Sequence, residues 1–97
     1  MAKTKKILVL GSLAFDHLMQ APSVFKNVLI PENYNIAITA KDRKVFWGGC
    51  GGNIAYNLAL LGQEATIFTS VGHDFNLYET WLQAKGIDTS ALYKSPL

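Results

Sequence analysis

The chain has 97 residues, enough for at most one small domain. Hydrophobic residues make up 49% of it and charged residues only 16%, a balance that excludes an intrinsically disordered segment. The charged fraction also falls below the roughly 25% that is typical of soluble domains. We therefore expect apolar surface that this chain does not cover by itself.

The net charge of +2 is distributed unevenly along the chain. Residues 1–47 carry seven basic and three acidic side chains, a net charge of +4, whereas residues 48–97 carry two basic and four acidic ones, a net charge of −2. The basic side chains lie mostly near the N-terminus and in the stretch 41–44, and neither group is long or interleaved with aromatic residues. We therefore expect no nucleic-acid partner.

Two apolar segments raise the question of a membrane. The N-terminal lysines and the aliphatic run after them resemble the start of a signal peptide, but the apolar stretch stops at Asp16 and no small-residue cleavage site follows. Residues 45–63 are uncharged but contain five glycines and two asparagines, which excludes a membrane helix. The single cysteine, Cys50, rules out an internal disulfide and is typical of a reducing compartment. The sequence thus predicts a cytoplasmic protein without a membrane partner.

The first half of the chain predicts one buried strand and a small hairpin. Residues 7–10 form a continuous aliphatic run that suits a strand buried on both faces, as in a parallel sheet. Residues 13–25 show no regular pattern and are expected to be irregular. Residues 34–39 and 44–47 predict two short strands around the polar turn 41–43.

Two helices and a strand are predicted after the glycine-rich stretch. Residues 53–61 form a helix that Gly62 ends, and it is apolar nearly all round, so we expect it to be buried. Residues 65–71 form a strand, and residues 75–85 form a second helix with Asp74 as its N-cap. The residues expected to face the core are Ile54, Ala55, Leu58, Ala59 and Leu61 in the first helix and Leu77, Tyr78, Trp81 and Leu82 in the second, which Gly86 ends. This order indicates an α/β fold whose parallel sheet lacks one edge and one face.

Four of the five residues 48–52 are glycine, which indicates close backbone approach or unusual φ angles. Glycines before a helix bring backbone N–H groups and the positive end of the helix dipole toward an anion or a hydroxyl-rich ligand. The dinucleotide-binding pattern fails because Ile54 stands where a third glycine is needed, and no Gly-Lys-Ser/Thr follows to make a Walker motif. The stretch is therefore either a ligand-binding loop of another kind or a tight turn that lets helix and sheet touch.

Asn53 and Asp16 are the polar side chains best placed for a ligand. Asn53 starts the predicted helix, where its amide can either cap the helix or bind ligand hydroxyls. Asp16 lies just past the first strand, at the end where open α/β sheets bind ligands, and its carboxylate can accept both protons of a vicinal diol. Alternatively, Asp16 is a turn residue that bonds to its own backbone. No motif places His17 or His73 beside Cys50, so we expect neither a cysteine nucleophile nor a metal site from these residues.

One extended pattern resembles a known signature. Residues 48–55, Gly-Gly-Cys-Gly-Gly-Asn-Ile-Ala, are followed after six residues by Gly62 and after nine more by Gly72. This spacing resembles the first signature of the ribokinase-like (PfkB) kinases, and residues 11–19 resemble the opening strand and turn of the same family. Together with residues 29–32, the resemblance points to the bacterial adenosine kinase branch, and it covers most of the chain.

The resemblance implies the N-terminal part of a three-layer α/β/α fold with a small β-sheet lid, the lid strands lying within about residues 17–47. Members of this family phosphorylate a hydroxymethyl group of a sugar or nucleoside with ATP and Mg²⁺. Asp16 would hold ribose hydroxyls, and Ser12 would lie near the base or sugar. By motif position, the substrate-binding residues would be Ser12, Asp16, Gly48, Gly49 and Asn53. The implied partner is a small nucleoside, with adenosine first, or a sugar.

The chain departs from the family pattern in two respects. Sugar-kinase relatives often carry Lys and Ala where this chain has Cys50 and Gly52, a difference that disfavours ribose and fructose as substrates. In the family, the catalytic base and the ATP site belong to a second motif far downstream. We therefore expect no catalytic or metal-binding residue in this chain, which would be the N-terminal portion of a longer kinase and inactive alone. The alternative is a non-catalytic half-domain that binds a ligand or dimerises; apolar edges favour a homodimer through the lid.

Overall fold

The computed structural model describes residues 5–22, 24 and 38–96. Two compact units are present, one made of the residues up to Phe15 together with those from Trp47 onward, and one made of residues 16–46. The elements are, in chain order, β1 (Lys6–Leu10), β2 (Ala14–Gln20), β3 (Asp42–Gly48), α1 (Cys50–Leu60), β4 (Glu64–Phe68), β5 (Ser70–Val71), α2 (Asn76–Ala84) and β6 (Tyr93–Lys94). This mixture of strands and helices confirms the predicted α/β class.

The centre of the first unit is a parallel pair of strands. β1 and β4 pair in a register that places Val9 opposite Ile67, and α1 packs against both strands. Val9, Ala65 and Ile67 share one face of the sheet and are buried. The predicted strand at residues 7–10 is confirmed and starts one residue earlier. The core built on this face consists of Val9, Ala55, Ala65, Ile67, Val71, Phe75, Tyr78, Leu82 and Ile87.

The opposite face of the same sheet is apolar and exposed. Leu8, Leu10 and Phe68 are 59%, 67% and 57% exposed. The expectation that this strand is buried on both faces is therefore wrong for the residues that the structure describes, because they cover only one face. Leu8, Leu10 and Phe68 instead form the uncovered apolar surface that the low charge content predicts.

Helix α1 begins inside the glycine-rich stretch, three residues before the predicted start. The Asn53 N–H donates to the Gly49 carbonyl at 3.0 Å, which already belongs to the helical pattern of hydrogen bonds. Glycine lowers helix stability by about 1 kcal/mol relative to alanine. That cost is outweighed here because the Gly51 N–H donates to the Ser12 carbonyl at 2.8 Å and holds the first turn in place.

Both helices end at the predicted glycine. Gly62 and Gly86 have φ angles of 77° and 78°, in the left-handed region that glycine adopts without steric cost. After α1, the N–H groups of Gly62 and Gln63 donate to the carbonyls of Ala59 and Leu58, and the same pattern recurs after α2. This is the Schellman motif, which satisfies carbonyls that a helix end would otherwise leave unpaired.

The predicted helix faces are only partly correct. Ala55, Tyr78 and Leu82 are buried, and Leu58, Ala59 and Trp81 pack against the core. Ile54, Leu60 and Leu61 of the first helical segment are 49%, 65% and 74% exposed, and Leu77 is 74% exposed. The first helix is therefore not buried all round. Asp74 is not the N-cap of α2 either, since Phe75 occupies that position without a side-chain hydrogen bond.

The second unit contains most of a two-stranded sheet. β2 pairs with β3, and the Lys41 N–H donates to the Gln20 carbonyl at 2.7 Å. The expectation that residues 13–25 are irregular is wrong for residues 14–20, which form β2. All side chains from residue 16 to 20 are exposed, and for this reason no alternation of apolar and polar residues marks the strand in the sequence. The predicted strand at 44–47 is confirmed, but it starts at Asp42, so the predicted turn at 41–43 is shorter.

Two further differences concern the remaining predicted strands. Of the strand expected at 34–39, residues 34–37 lie outside the described residues, and Ile38 and Thr39 have no regular structure. The strand expected at 65–71 is interrupted at Thr69, after which β5 pairs in parallel with β6, an element that was not predicted.

Candidate functional site

The glycine-rich stretch lies directly against the chain segment that follows β1. A Cβ atom on Gly11 would lie 2.9 Å from Gly51 Cα, and a Cβ atom on Gly51 would lie 2.7 Å from the Gly11 carbonyl oxygen. Both distances are shorter than any side chain tolerates, so two stretches of backbone touch here. Tight packing of helix against strand end therefore explains the glycines at positions 11 and 51.

Gly49 is constrained by conformation as well as by space. Its φ of 88° and ψ of 143° lie near a region that is essentially reserved for glycine. A Cβ atom there would overlap the Ser12 carbonyl oxygen and lie 2.8 Å from Leu13 Cα. Gly49 is also the N-cap of α1, and no side chain caps that helix end. The positive end of the α1 dipole is therefore not blocked by a side-chain cap. The glycines at residues 48–52 can thus serve both the tight packing of helix against strand end and the binding of a ligand.

Ser12 and Cys50 meet at the surface beside this loop. Both residues are exposed, and Ser12 Oγ lies 3.6 Å from Cys50 Sγ. Hydrogen bonding by the Ser12 side chain, with smaller contributions from the backbone, holds the pKa of the Cys50 thiol below its ordinary value. Ser12, a predicted substrate-binding residue, is thus in direct contact with the glycine-rich stretch.

Replacing Ser12 with alanine is expected to raise the pKa of Cys50. The thiolate is the reactive form, so a lower pKa means faster alkylation at neutral pH, and loss of the Ser12 hydroxyl should slow it. We call the protein that carries this sequence, as its own cell produces it, the native protein. The measurement is the pH dependence of Cys50 alkylation by iodoacetamide in the native protein and its variants, with peptide mass spectrometry as the readout. The midpoint should move upward in Ser12→Ala and stay in place in Ser70→Ala. An unchanged midpoint in Ser12→Ala would contradict the Ser12–Cys50 contact.

Asn53 lies in the first turn of α1 and is exposed. Its N–H donates to the Gly49 carbonyl, and its own carbonyl accepts from Asn57 Nδ2 at 2.8 Å. The alternative that the Asn53 amide caps the helix is wrong, because Gly49 is the cap and the cap makes no side-chain hydrogen bond. The other explanation, an amide that binds ligand hydroxyls, stays a prediction.

Asp16 is an exposed residue of β2 and the first residue of the second unit. The alternative that it is a turn residue is wrong, since it lies inside a strand. Its role as an acceptor for a diol stays a prediction. Of the predicted site residues, the structure therefore groups Ser12, Gly48, Gly49 and Asn53 within the first unit, and Asp16 belongs to the second.

Tyr78 contacts the same loop, although sequence reasoning placed it only in the core. It is 1% exposed, and its hydroxyl donates to the Gly48 carbonyl at 2.7 Å. The sequence does contain a signal for such a contact. A tyrosine on the core-facing side of a helix needs a hydrogen-bond partner for its hydroxyl, and the partner here is a backbone carbonyl of the glycine-rich stretch.

Two structural features are absent from the described ranges 5–22, 24 and 38–96. No three His, Cys, Asp or Glu side chains there lie together in a way that could hold a metal ion. No helix among these residues is long and apolar enough to cross a membrane.

These features define an α/β protein in which the glycine-rich stretch of residues 48–52, called the glycine-rich loop below, leads into α1. This loop packs against the chain segment that leaves the parallel strand β1. Residues 4–96 match the model of the pfkB family of carbohydrate kinases. The chain belongs to this family, which confirms the resemblance drawn from its signature.

Nucleoside kinases are among the proteins that this chain resembles. A nucleoside kinase of Methanocaldococcus jannaschii is 30% identical over 95 residues, which are 96% of this chain and 29% of that protein. The solved structure of Methanocaldococcus jannaschii nucleoside kinase, an archaeal member of the ribokinase family, has a TM-score of 0.78 and 28% identity over 98% of this chain and 30% of that one. The chain therefore has the ribokinase fold, and it spans less than a third of the length of these relatives.

Ligand-bound relatives have the same fold. Burkholderia thailandensis nucleoside kinase in complex with inosine has a TM-score of 0.74 and 28% identity over 93% of this chain and 28% of that one. The same kinase in complex with ADP-inosine has a TM-score of 0.66 and 29% identity over 93% of this chain and 29% of that one.

Proposed function

We propose that the native protein phosphorylates the hydroxymethyl group of a nucleoside with ATP, adenosine being the first candidate. Residues 1–97 would form its N-terminal, substrate-binding portion, with a lid within about residues 17–47. The observation that carries this proposal is the 30% identity to a nucleoside kinase over 96% of the chain. The relative in complex with inosine supports a nucleoside over a free sugar.

The site residues would hold the acceptor and leave the chemistry to other parts of the protein. The Asp16 carboxylate would accept hydrogen bonds from the two ribose hydroxyls, and the exposed amide of Asn53 would also bind the sugar. The backbone of Gly48 and Gly49 would approach the ribose closely, because no side chain separates it from a ligand. Ser12 would lie near the base or sugar.

The chain is proposed to supply no catalytic residue. Phosphoryl transfer depends on positioning the two substrates and on stabilising charge around the transferred group. Among the described residues, no three His, Cys, Asp or Glu side chains lie together in a way that could hold a metal ion. ATP is the proposed phosphoryl donor, supported by the relative in complex with ADP-inosine, and its site and that of Mg²⁺ would lie outside these residues.

A substrate panel tests this function. The native protein is assayed with ATP and adenosine, inosine, ribose or fructose, and kcat/KM is compared. We expect both nucleosides to exceed both sugars by at least about tenfold, because a sugar lacks the base that adds binding energy. For adenosine analogues that lack the 2′- or the 3′-hydroxyl, kcat/KM should be at least about tenfold lower than for adenosine, because Asp16 would lose one of its two hydrogen bonds.

The possible outcomes separate the competing functions. Preference for ribose or fructose would overturn the nucleoside assignment. Nucleoside binding without phosphate transfer in the presence of ATP and Mg²⁺ would favour the alternative, a non-catalytic ligand-binding half-domain. Activity of a purified 97-residue chain would contradict the proposal that this portion is inactive alone.

Two expectations about the environment of the protein stay predictions. One is a homodimer formed through the lid, where Leu18 and Met19 are 63% and 58% exposed. The other is a cytoplasmic location.

A further inference from the structure

From the contacts around Gly48 we infer that Tyr78 is a positioning residue of the substrate site, whose hydroxyl fixes the orientation of the Gly48–Gly49 peptide. This inference rests on the proposed function, because it concerns the same glycine-rich loop. Tyr78 lies on α2, its hydroxyl contacts the loop at Gly48, and it is not one of the predicted substrate-binding residues. Its effect would be exerted through the backbone that the loop presents to the nucleoside.

The Tyr78 hydroxyl fixes the orientation of one peptide group. The Tyr78 hydroxyl donates to the Gly48 carbonyl at 2.7 Å, and the Gly48–Gly49 peptide is trans. In a planar trans peptide the carbonyl and the following N–H point in opposite directions. A hydrogen bond that holds the Gly48 carbonyl toward the core therefore aims the Gly49 N–H away from the core.

Without this hydrogen bond, the Gly48–Gly49 peptide would be free to rotate. Gly49 tolerates both signs of φ, so its peptide has little intrinsic preference for one orientation. The Tyr78 hydroxyl supplies that preference from a buried position where no water competes for the carbonyl. The loop is thus pre-organised before a ligand binds, which reduces the ordering cost of binding.

The Tyr78 hydroxyl occupies the space where a side chain at position 52 would begin. A Cβ atom on Gly52 would overlap the Tyr78 hydroxyl and would lie 3.1 Å from Tyr78 Cζ and 3.0 Å from Leu13 Cδ2. Glycine at position 52 is therefore the residue that leaves room for the hydroxyl. Without the hydroxyl, the contacts with Leu13 Cδ2 and Tyr78 Cζ would be tight but would not overlap, so the hydroxyl is the main reason that this position excludes a side chain.

The Tyr78 ring is itself held by other aromatic rings. Its centroid lies 5.0 Å from that of Trp47, 5.8 Å from Phe15 and 5.4 Å from Phe75. Trp47 directly precedes Gly48 in the chain, so the ring and the carbonyl are fixed by the same neighbours. A phenylalanine at position 78 would keep this packing and lose only the hydroxyl.

The test is Tyr78→Phe in the native protein, with Tyr56→Phe as the matched control. Tyr56 belongs to the same aromatic cluster, where its centroid lies 5.1 Å from that of Trp81. Tyr78→Phe should raise KM for the nucleoside about tenfold while KM for ATP changes little, and the melting temperature should fall only by the cost of one lost buried hydrogen bond. Tyr56→Phe should leave all three quantities unchanged.

A second variant separates positioning from simple packing. Gly52→Ala should raise KM for the nucleoside strongly in the presence of Tyr78, because the methyl group displaces the hydroxyl. The same change should add little in a Tyr78→Phe background, where the overlapping atom is gone. A Gly52→Ala effect of equal size in both backgrounds would overturn the inference, as would an unchanged nucleoside KM in Tyr78→Phe.

The inference and the proposed function fail in distinguishable ways. A native protein that phosphorylates no nucleoside would overturn the proposed function. A native protein that phosphorylates nucleosides, but whose Tyr78→Phe variant raises both KM values equally and melts much lower, would show that Tyr78 serves the fold alone and would overturn the inference.

Discussion

Replacing Gly49 with alanine is expected to destabilise the native protein by at least about 3 kcal/mol and to abolish measurable nucleoside binding. The φ of 88° penalises any side chain, and the new Cβ atom would also overlap the Ser12 carbonyl oxygen. Ser12 cannot move away without cost, because the same oxygen accepts the Gly51 N–H at 2.8 Å. The loop would therefore separate from the strand end. Denaturant unfolding and nucleoside binding are the measurements.

Gly62→Ala is the matched control for this substitution. Gly62 has a φ of 77°, but a Cβ atom there would meet nothing within 4 Å. Gly62→Ala should therefore lower the free energy of unfolding only by the conformational strain, about 1 kcal/mol, and should leave nucleoside binding intact. If Gly49→Ala cost no more than Gly62→Ala, the close contact between the glycine-rich loop and Ser12 would be refuted.

Replacing Asp16 with alanine is expected to lower kcat/KM for adenosine by about a hundredfold or more, which is about 3 kcal/mol of transition-state stabilisation. The carboxylate is proposed to hold both ribose hydroxyls, so its loss would leave the acceptor hydroxymethyl group poorly aligned. The side chain is exposed on β2, so the melting temperature should change little. Steady-state kinetics with ATP and adenosine is the measurement.

Asp42→Ala is the control for charge in the same unit. Asp42 is also exposed, and its carboxylate accepts the Arg43 N–H at 2.8 Å instead of serving a proposed ligand. Its removal should leave kcat/KM within about twofold. In addition, Asp16→Ala should lower kcat/KM less for an adenosine analogue that lacks one ribose hydroxyl than it does for adenosine. Unchanged kinetics of Asp16→Ala would remove Asp16 from the site.

The parts of the fold that could be predicted are those set by local backbone rules. Strand β1 and the glycines that end both helices were predicted correctly, because a continuous aliphatic run and left-handed helix ends leave a direct mark in the sequence. The start of α1 was not, because four glycines locally disfavour a helix. The contact that holds them in helical form is made with Ser12, which lies far away in the sequence.

Helix periodicity shows which side chains share a face, but it does not show which face has a partner. For this reason Ala55 and Leu82 were placed correctly in the core, whereas Ile54 and Leu77 were expected there and are exposed. Strand β2 was missed for a related reason. Its side chains from residue 16 onward are exposed, so burial imposes no alternation on the sequence.

The candidate site was predicted in two different ways. The glycine-rich loop, Asn53 and Asp16 stood out from the residues themselves, whereas the role of Ser12 came from the family resemblance. Tyr78 was missed because its partner is a backbone carbonyl, which no side-chain motif reveals. The contact becomes visible only when α2 is placed behind the loop.

The proposed function depends most directly on the binding of a nucleoside ribose by the Asp16 carboxylate. The most direct test is the crystal structure of the native protein with adenosine bound. We predict that both ribose hydroxyls lie within about 3 Å of the Asp16 carboxylate, with the Asn53 amide and the Gly49 N–H in hydrogen-bond contact with the sugar. An adenosine bound with its ribose away from Asp16 and from Gly49 would contradict the proposal.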